Sequence, residues 1–274
     1  MYENFFEMRN TPFSRDIPAS RLYRSIQIDD AIGRLRYTAD KKLFATVMAE
    51  PGCGKTTLIR MFVSELPRDK YMALYLSDSK LTPRWLYAGL LNQMGLEPKF
   101  YRGDSKRDLQ KELETIGNVQ GRRVVCILDE AHLLEKETLE EFRFLLNSDF
   151  DSKSNLALIL VGQKELWENK LRLQTYSAIR QRIDISIVLS RLEQSEVSKY
   201  IRSHLEYSGY MGELFTSDAE EEIYRVSGGI PRMINRICEK SLMYAYQQQK
   251  RMIDGHMVTY VADHEMLQTE AGSV

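Results

Sequence analysis

Residues 49–57 read AEPGCGKTT, an order of residue types suited to holding a chain of phosphates. Gly52 and Gly54 allow the backbone to bend so that successive N–H groups turn into one concavity. With the amino terminus of a following helix, that concavity attracts polyphosphate. Lys55 would then reach the β- and γ-phosphates, and Thr56 would offer a hydroxyl to magnesium. Glu50, Pro51, Cys53 and Thr57 complete the expected nucleotide-contacting stretch. Ala49 stands where G-x-x-x-x-G-K-[ST] has its first glycine. It is the smallest departure available, and it falls at the strand end rather than against phosphate.

A second run, RRVVCILDEAHLL at 122–134, leads β-favouring residues into Asp129 and Glu130. In open α/β sheets ligands collect beyond the carboxyl ends of the strands. At that edge Asp129 would hold magnesium, directly or through water, and Glu130 would orient and polarise an attacking water. That role favours hydrolysis over transfer to a substrate. His132 reads as a surface residue at a helix start, without a catalytic role. LALILVGQ ends in Gln163, which reaches toward the γ-phosphate or the attacking water, or is a strand-end amide bonded to backbone. SAIRQRIDI holds Arg180 and Arg182. Their planar, permanently charged guanidinium groups suit phosphate; each is either a group supplied across a subunit interface or a surface ion pair. SGGIPRMINR places Pro231 in a first helical turn and Arg232 just after it.

Short apolar runs supply the elements that must position these groups. Runs at 44–48, 72–76, 124–128, 156–161 and 183–189 read as buried strands. Helical spacing lies between them, at Leu58, Ile59, Phe62, Val63 and Leu66 and again at Leu139, Phe142, Leu145 and Leu146. Strands alternating with helices argue for a parallel sheet covered on both faces. From Glu193 onward the periodicity is helical only. One helix carries Val197 to Leu205, a second is capped by Thr216, a third carries Ile234 to Ala245, and a fourth is capped by Asp254. The expected organisation is an amino-terminal arm and helix over 1–40, an α/β domain over 41–190, a small helical domain over 191–268 and a tail over 269–274.

Composition limits the classes open to the chain. Its 274 residues hold 38 Lys+Arg against 39 Asp+Glu, a formal charge of −1. A uniformly basic nucleic-acid coat is excluded, although a local basic patch is not. The longest apolar run falls far short of the ~20 residues that span a membrane, and no signal-peptide layout opens the chain. Cys53, Cys126 and Cys238 are far apart, fit neither a zinc site nor a disulfide framework, and point to a reducing cytoplasm.

AEPGCGKTT, ILDEAHLL, LILVGQ, the QRI segment and GGIPRMIN occur in the order seen in AAA+ ATPases. The chain is similar in particular to the ExeA-type (general secretion pathway protein A) group, whose amino-terminal arm FFEMRNTPFSRDIP resembles. The resemblance implies an ASCE-type P-loop fold, with a five-stranded parallel sheet sandwiched by helices and followed by an all-helical lid. It implies ATP hydrolysis with Mg2+, and nucleotide held at subunit interfaces. Lys55 and Thr56 match Walker A, Asp129 and Glu130 match Walker B, Gln163 matches sensor 1 and Arg232 sensor 2. Arg182 is the preferred arginine finger, with Arg180 second.

Two roles share this ATPase: a membrane-anchored secretion ATPase, and a compact DNA-binding transposition regulator similar to TniB, TnsC, IstB and MuB. The chain ends soon after the lid without a membrane span, which favours the second. The expectation is a cytoplasmic protein that assembles with itself as an ATP-dependent ring or filament on duplex DNA, without sequence preference. It would stimulate a DDE transposase, with a target-site adaptor as a further partner. An ExeA-like secretion ATPase, another ATP-gated scaffold and a helicase loader are the alternatives. The DNA surface is expected in KFYRGDSKRDLQKEL, through Lys99, Arg102, Lys106 and Arg107, with Arg84 beside Trp85 as a lesser candidate. Phosphate contacts need only cations and reach; the competing reading of the segment is a solvated helix start.

Overall fold

The computed structural model describes residues 1–78, 81–146 and 154–266. Contacts divide these residues into two compact units. One contains Ile26–Pro51 and Lys55–Leu189; the other contains Met1–Ser25, Gly52–Gly54 and the chain from Ser190 onward. The 1–40 segment is therefore shared: its irregular arm belongs with the helical unit and its helix with the sheet.

The α/β unit is built on five parallel strands: β1 (Phe44–Ala49), β2 (Tyr71–Leu76), β3 (Arg123–Leu128), β4 (Leu156–Gly162) and β5 (Ile185–Leu189). They stand in the order β2-β3-β4-β1-β5. The apolar runs of the sequence become these strands because both faces of the sheet are covered. β1 and β4 are buried at every position, whereas the edge strands β2 and β5 are only partly buried. On one face Leu74, Cys126, Leu128, Leu158 and Leu160 pack with helices α4 (Pro83–Gln93), α5 (Arg102–Asn118) and α6 (Lys136–Leu145), through Leu86, Leu90, Leu113 and Phe142. Against the sheet also lie α2 (Ile26–Lys41) and α3 (Lys55–Glu65), which contact β1. Phe142 is fully buried, and truncating such a side chain to alanine costs about 3–5 kcal/mol. A single helical turn, α7 (Ser177–Arg180), precedes β5.

Parallel strands bring all their carboxyl ends to one edge. β4 lies between β1 and β3 in register, with Val161 beside Val47 and Leu160 beside Leu128. The loops that leave β1, β3 and β4 therefore emerge side by side.

In the second unit α8 (Gln194–Ser208), α9 (Ser217–Ser227), α10 (Pro231–Gln247) and α11 (Gly255–His264) share one core with the short amino-terminal helix α1 (Tyr2–Phe5) and the arm. Tyr2, Phe6, Met8 and Phe13 sit in that core beside Val197, Ile201, Ile234 and Val258. A capping box between Glu193 and Glu196 starts α8, and Gly209 at φ 90° ends it. Asp254 caps α11 by accepting from the Met257 N–H at 2.9 Å, as its sequence position predicts. Thr216 stands before α9, but its hydroxyl does not cap that helix and donates instead to Ile253 O at 3.0 Å. The bridge between Phe215 and Ile253 brings that carbonyl within reach.

Candidate active site

The chain leaves β1 at Ala49 and re-enters helical geometry at Lys55. Gly52 and Gly54 take φ of 84° and 87°, a region closed to most side chains. Glycine is required at Gly52 on a second ground: a Cβ there would lie 2.9 Å from Ile230 Cγ2 and 3.1 Å from Arg232 Cβ. Arg232 N–H also donates to Gly52 O at 3.3 Å, inside the unit that contains both residues. Lys55 is buried, and its ammonium donates to Ala49 O at 3.1 Å and Glu50 O at 3.2 Å. The Glu50 carboxylate pairs with Lys164 at 2.7 Å, a contact no local signature announces. Cys53 is a buried free thiol, Pro51 and Thr56 are exposed, and Thr57 is half-buried in the first turn of α3.

The acidic pair stands where β3 ends. Asp129 N–H extends the strand ladder onto Leu76 O at 2.8 Å, and its carboxylate is 4% exposed. Oδ1 accepts from the Glu130 N–H at 2.8 Å; Oδ2 accepts from the Tyr75 hydroxyl at 2.7 Å and faces Thr56 Oγ1 at 3.3 Å. Sequence reasoning missed Tyr75, because only the β2–β3 register reveals where an aromatic in an apolar strand will point. Burial, then the neighbouring Asp129 carboxylate, raises the Tyr75 phenol above its ordinary range, so it stays a donor.

Glu130 adopts φ 55°, ψ 31°. For a residue with a long side chain this left-handed geometry costs about 1–2 kcal/mol, and such strain concentrates at functional sites. The side chain is 44% exposed, with Oε2 3.5 Å from His132 Nδ1. That same Nδ1 lies 3.4 Å from the Gln163 N–H. An amide can only donate, so a neutral His132 accepts from Gln163 through Nδ1. Donation to Glu130 instead requires the ring proton to sit on Nδ1. His132 therefore lies between the residues expected to match Walker B and sensor 1, a position its sequence context did not suggest.

The remaining candidates separate. Arg180 spends its guanidinium within its own chain, with Nη1 donating to Leu171 O at 2.9 Å and Arg172 O at 2.8 Å. These carbonyls close the π-helical turn Leu166–Leu171, so Arg180 reads as a brace. Arg182 is half-buried just before β5. Arg232 lies in the first turn of α10, in the helical unit.

The four cations expected to meet DNA do not form a patch of one sign. Arg102 and Lys106 both pair with buried Glu141, at 3.0 and 3.3 Å, and Arg107 pairs with Asp104. Glu141 also accepts from the Tyr87 hydroxyl at 2.5 Å, which ties α4, α5 and α6 together. Lys106 lies 3.8 Å from the centre of the Phe144 ring, and Arg84 covers Phe100 at 4.9 Å. Lys99 is exposed.

The donors beside the phosphate loop suit magnesium. The Thr56 hydroxyl and the Asp129 carboxylate are oxygen donors 3.3 Å apart. Among the described residues no group of three His, Cys, Asp or Glu forms a metal cage. A magnesium ion held by one or two protein oxygens, phosphates and water needs no such cage.

Residues 38–169 match the AAA domain family. The α/β unit is an AAA+ ATPase domain. Over 258 residues, the AAA domain included, the chain is 33% identical to general secretion pathway protein A of Aeromonas hydrophila, a match that covers 92% of this chain and 46% of that relative. The chain thus spans about half the length of the curated relative it matches. Solved structures share the fold at low identity. The Aeropyrum pernix ORC2 protein in its ADP form has a TM-score of 0.69 at 13% identity, over 92% of this chain and 71% of its own. Drosophila ORC bound to DNA has a TM-score of 0.65 at 16% identity, over 98% of this chain and 66% of its own. Among the described residues no helix is long and apolar enough to cross a membrane.

Proposed function

We propose that the chain binds ATP at the AEPGCGKTT loop, hydrolyses it, and uses the cycle to assemble with itself on duplex DNA as a transposition regulator in the cytoplasm. The observation that carries the hydrolytic part is the pairing of a buried Asp129 beside Thr56 with a half-exposed Glu130 held in a strained backbone conformation. Lys55 and the loop N–H groups bind phosphate. Thr56 and Asp129 hold magnesium, which when bound neutralises charge developing on the phosphates. Glu130 takes a proton from the attacking water, Gln163 orients that water, Arg182 acts from a neighbouring copy and Arg232 reports on the nucleotide. The DNA part rests on exposed cations near α5, and is supported by a fold shared with a protein solved on DNA.

A second reading, a secretion-associated ATPase that needs no DNA, is favoured by the 33% identical relative. Steady-state ATP hydrolysis with and without duplex DNA separates the two. Stimulation that fades with salt supports the DNA regulator, and rates indifferent to DNA together with no binding in ATP support the second reading. No hydrolysis under either condition overturns both.

A further inference from the structure

Every carboxylate that helps to hold magnesium must itself be held, because the ion demands near-ideal octahedral geometry. Asp129 is held at both oxygens by groups on different elements. Its Oδ1 is fixed by the Glu130 N–H, part of its own loop. Its Oδ2 is fixed by Tyr75, a residue from the neighbouring strand. The Thr56 hydroxyl lies farther off at 3.3 Å, and it is also the hydroxyl expected to turn toward the ion. Tyr75 is therefore the short, fixed donor on the oxygen nearest the phosphate loop.

Tyr75 is itself unusually well fixed for an edge-strand residue. On its inner side it pairs in register with Ile127, two positions before Asp129. On its outer side, where an edge strand leaves backbone groups unpaired, one side chain from the end of α4 takes both. Tyr75 N–H donates to Gln93 Oε1 at 2.8 Å, and Gln93 Nε2 donates to Tyr75 O at 2.6 Å. With its N–H and C=O both held by Gln93 and its register beside Ile127 fixed, the Tyr75 backbone is set where the phenol meets Asp129.

We propose that Tyr75 is a positioning residue for magnesium: its hydroxyl sets the plane of the Asp129 carboxylate that the ion meets. Tyr75 touches neither the nucleotide nor the ion and acts through Asp129. The inference rests on the ATPase reading above.

The test compares the wild-type chain with Tyr75→Phe, which keeps the ring and its packing and removes only the hydroxyl. Binding of a fluorescent ADP analogue is measured in EDTA and then across a magnesium chloride titration, with thermal melting alongside. Loss of a group that orients a metal ligand typically costs about 10–100-fold in metal affinity. The magnesium midpoint should therefore rise about tenfold, while affinity in EDTA and the melting temperature stay unchanged. An unmoved magnesium midpoint overturns the proposal. So does a loss of affinity in EDTA accompanied by lower melting, which assigns Tyr75 to packing alone. A wild-type chain that binds the analogue in neither buffer overturns the ATPase reading, and this inference with it.

Discussion

His204 ties the amino-terminal arm to the helical unit, and its burial makes that attachment sensitive to acid. The imidazole is 4% exposed on α8, stacked on Phe13 with centroids 5.1 Å apart and an interplanar angle of 8°, and lies 4.4 Å from the Tyr200 ring. Its Nδ1 is buried without a hydrogen-bond partner. Burial pushes its pKa down to about 4, from the ordinary value near 6.5. The unfolded chain therefore binds a proton that the folded one refuses, and stability falls as pH drops from 6.5 toward 4. Each pKa unit corresponds to 1.36 kcal/mol, so the full loss is ~3 kcal/mol below pH 4, of which ~2 kcal/mol is already gone at pH 5. Above pH 7 the effect vanishes. The measurement is urea unfolding of wild type and His204→Phe from pH 8 to pH 4.5, because the variant keeps an aromatic ring against Phe13 but cannot titrate. Other titrating groups act on both proteins and cancel in the difference. A stability gap that does not change between pH 7.5 and pH 5 would refute the reasoning.

Four further outcomes follow from the site and the surface. Glu130→Gly should stabilise the nucleotide-free protein by up to about 1 kcal/mol, since glycine relieves the αL penalty at some entropic cost. It should also lower ATP turnover by about 10²–10⁴; denaturation and phosphate release measure the two effects separately. Arg180→Ala should cost about 1–3 kcal/mol in unfolding free energy by removing a charged donor from two carbonyls. Arg182→Ala should instead depress turnover about a thousandfold, with partial recovery when it is mixed with Lys55→Ala chains, because one mixed interface stays complete. Replacing Lys99, Arg102, Lys106 and Arg107 together by Ala should weaken binding to every duplex tested. The log–log salt slope should become shallower by less than the ~3.6 that four unpaired cations would give, because Glu141 and Asp104 already neutralise part of the patch.

What the sequence announces about this protein is local, and what it conceals depends on register or long-range pairing. AEPGCGKTT states its chemistry in adjacent residues, and its glycines take the positive φ that the motif requires. The five apolar runs become strands because each is bounded by turns and lies in a covered sheet, wholly buried in β1 and β4 and partly so at the edges β2 and β5. Their order, with β4 between β1 and β3, has no signature in any one of them. Helix α4 carries its own start signal, Thr82 as cap with Pro83 at the first helical position. The cations near 99–107 look like a patch of one sign only while Glu141 is unseen. That carboxylate sits on another helix, and burial rather than sequence distance makes it their partner.

Glu130 is the sharpest case of a local rule broken at a functional position. Nothing in ILDEAHLL favours a left-handed backbone at a glutamate, and a turn selected for stability alone would place glycine or asparagine there. The strain leaves the β3 ladder at Asp129, whose own N–H is still paired with Leu76. The Glu130 N–H, which precedes the strained dihedrals, donates to the Asp129 carboxylate. The side chain of Glu130 is left half-exposed, 3.5 Å from His132. The amide of this residue holds the buried carboxylate and its side chain presents a second one to water, which accounts for a glutamate at a position where glycine would fold more comfortably.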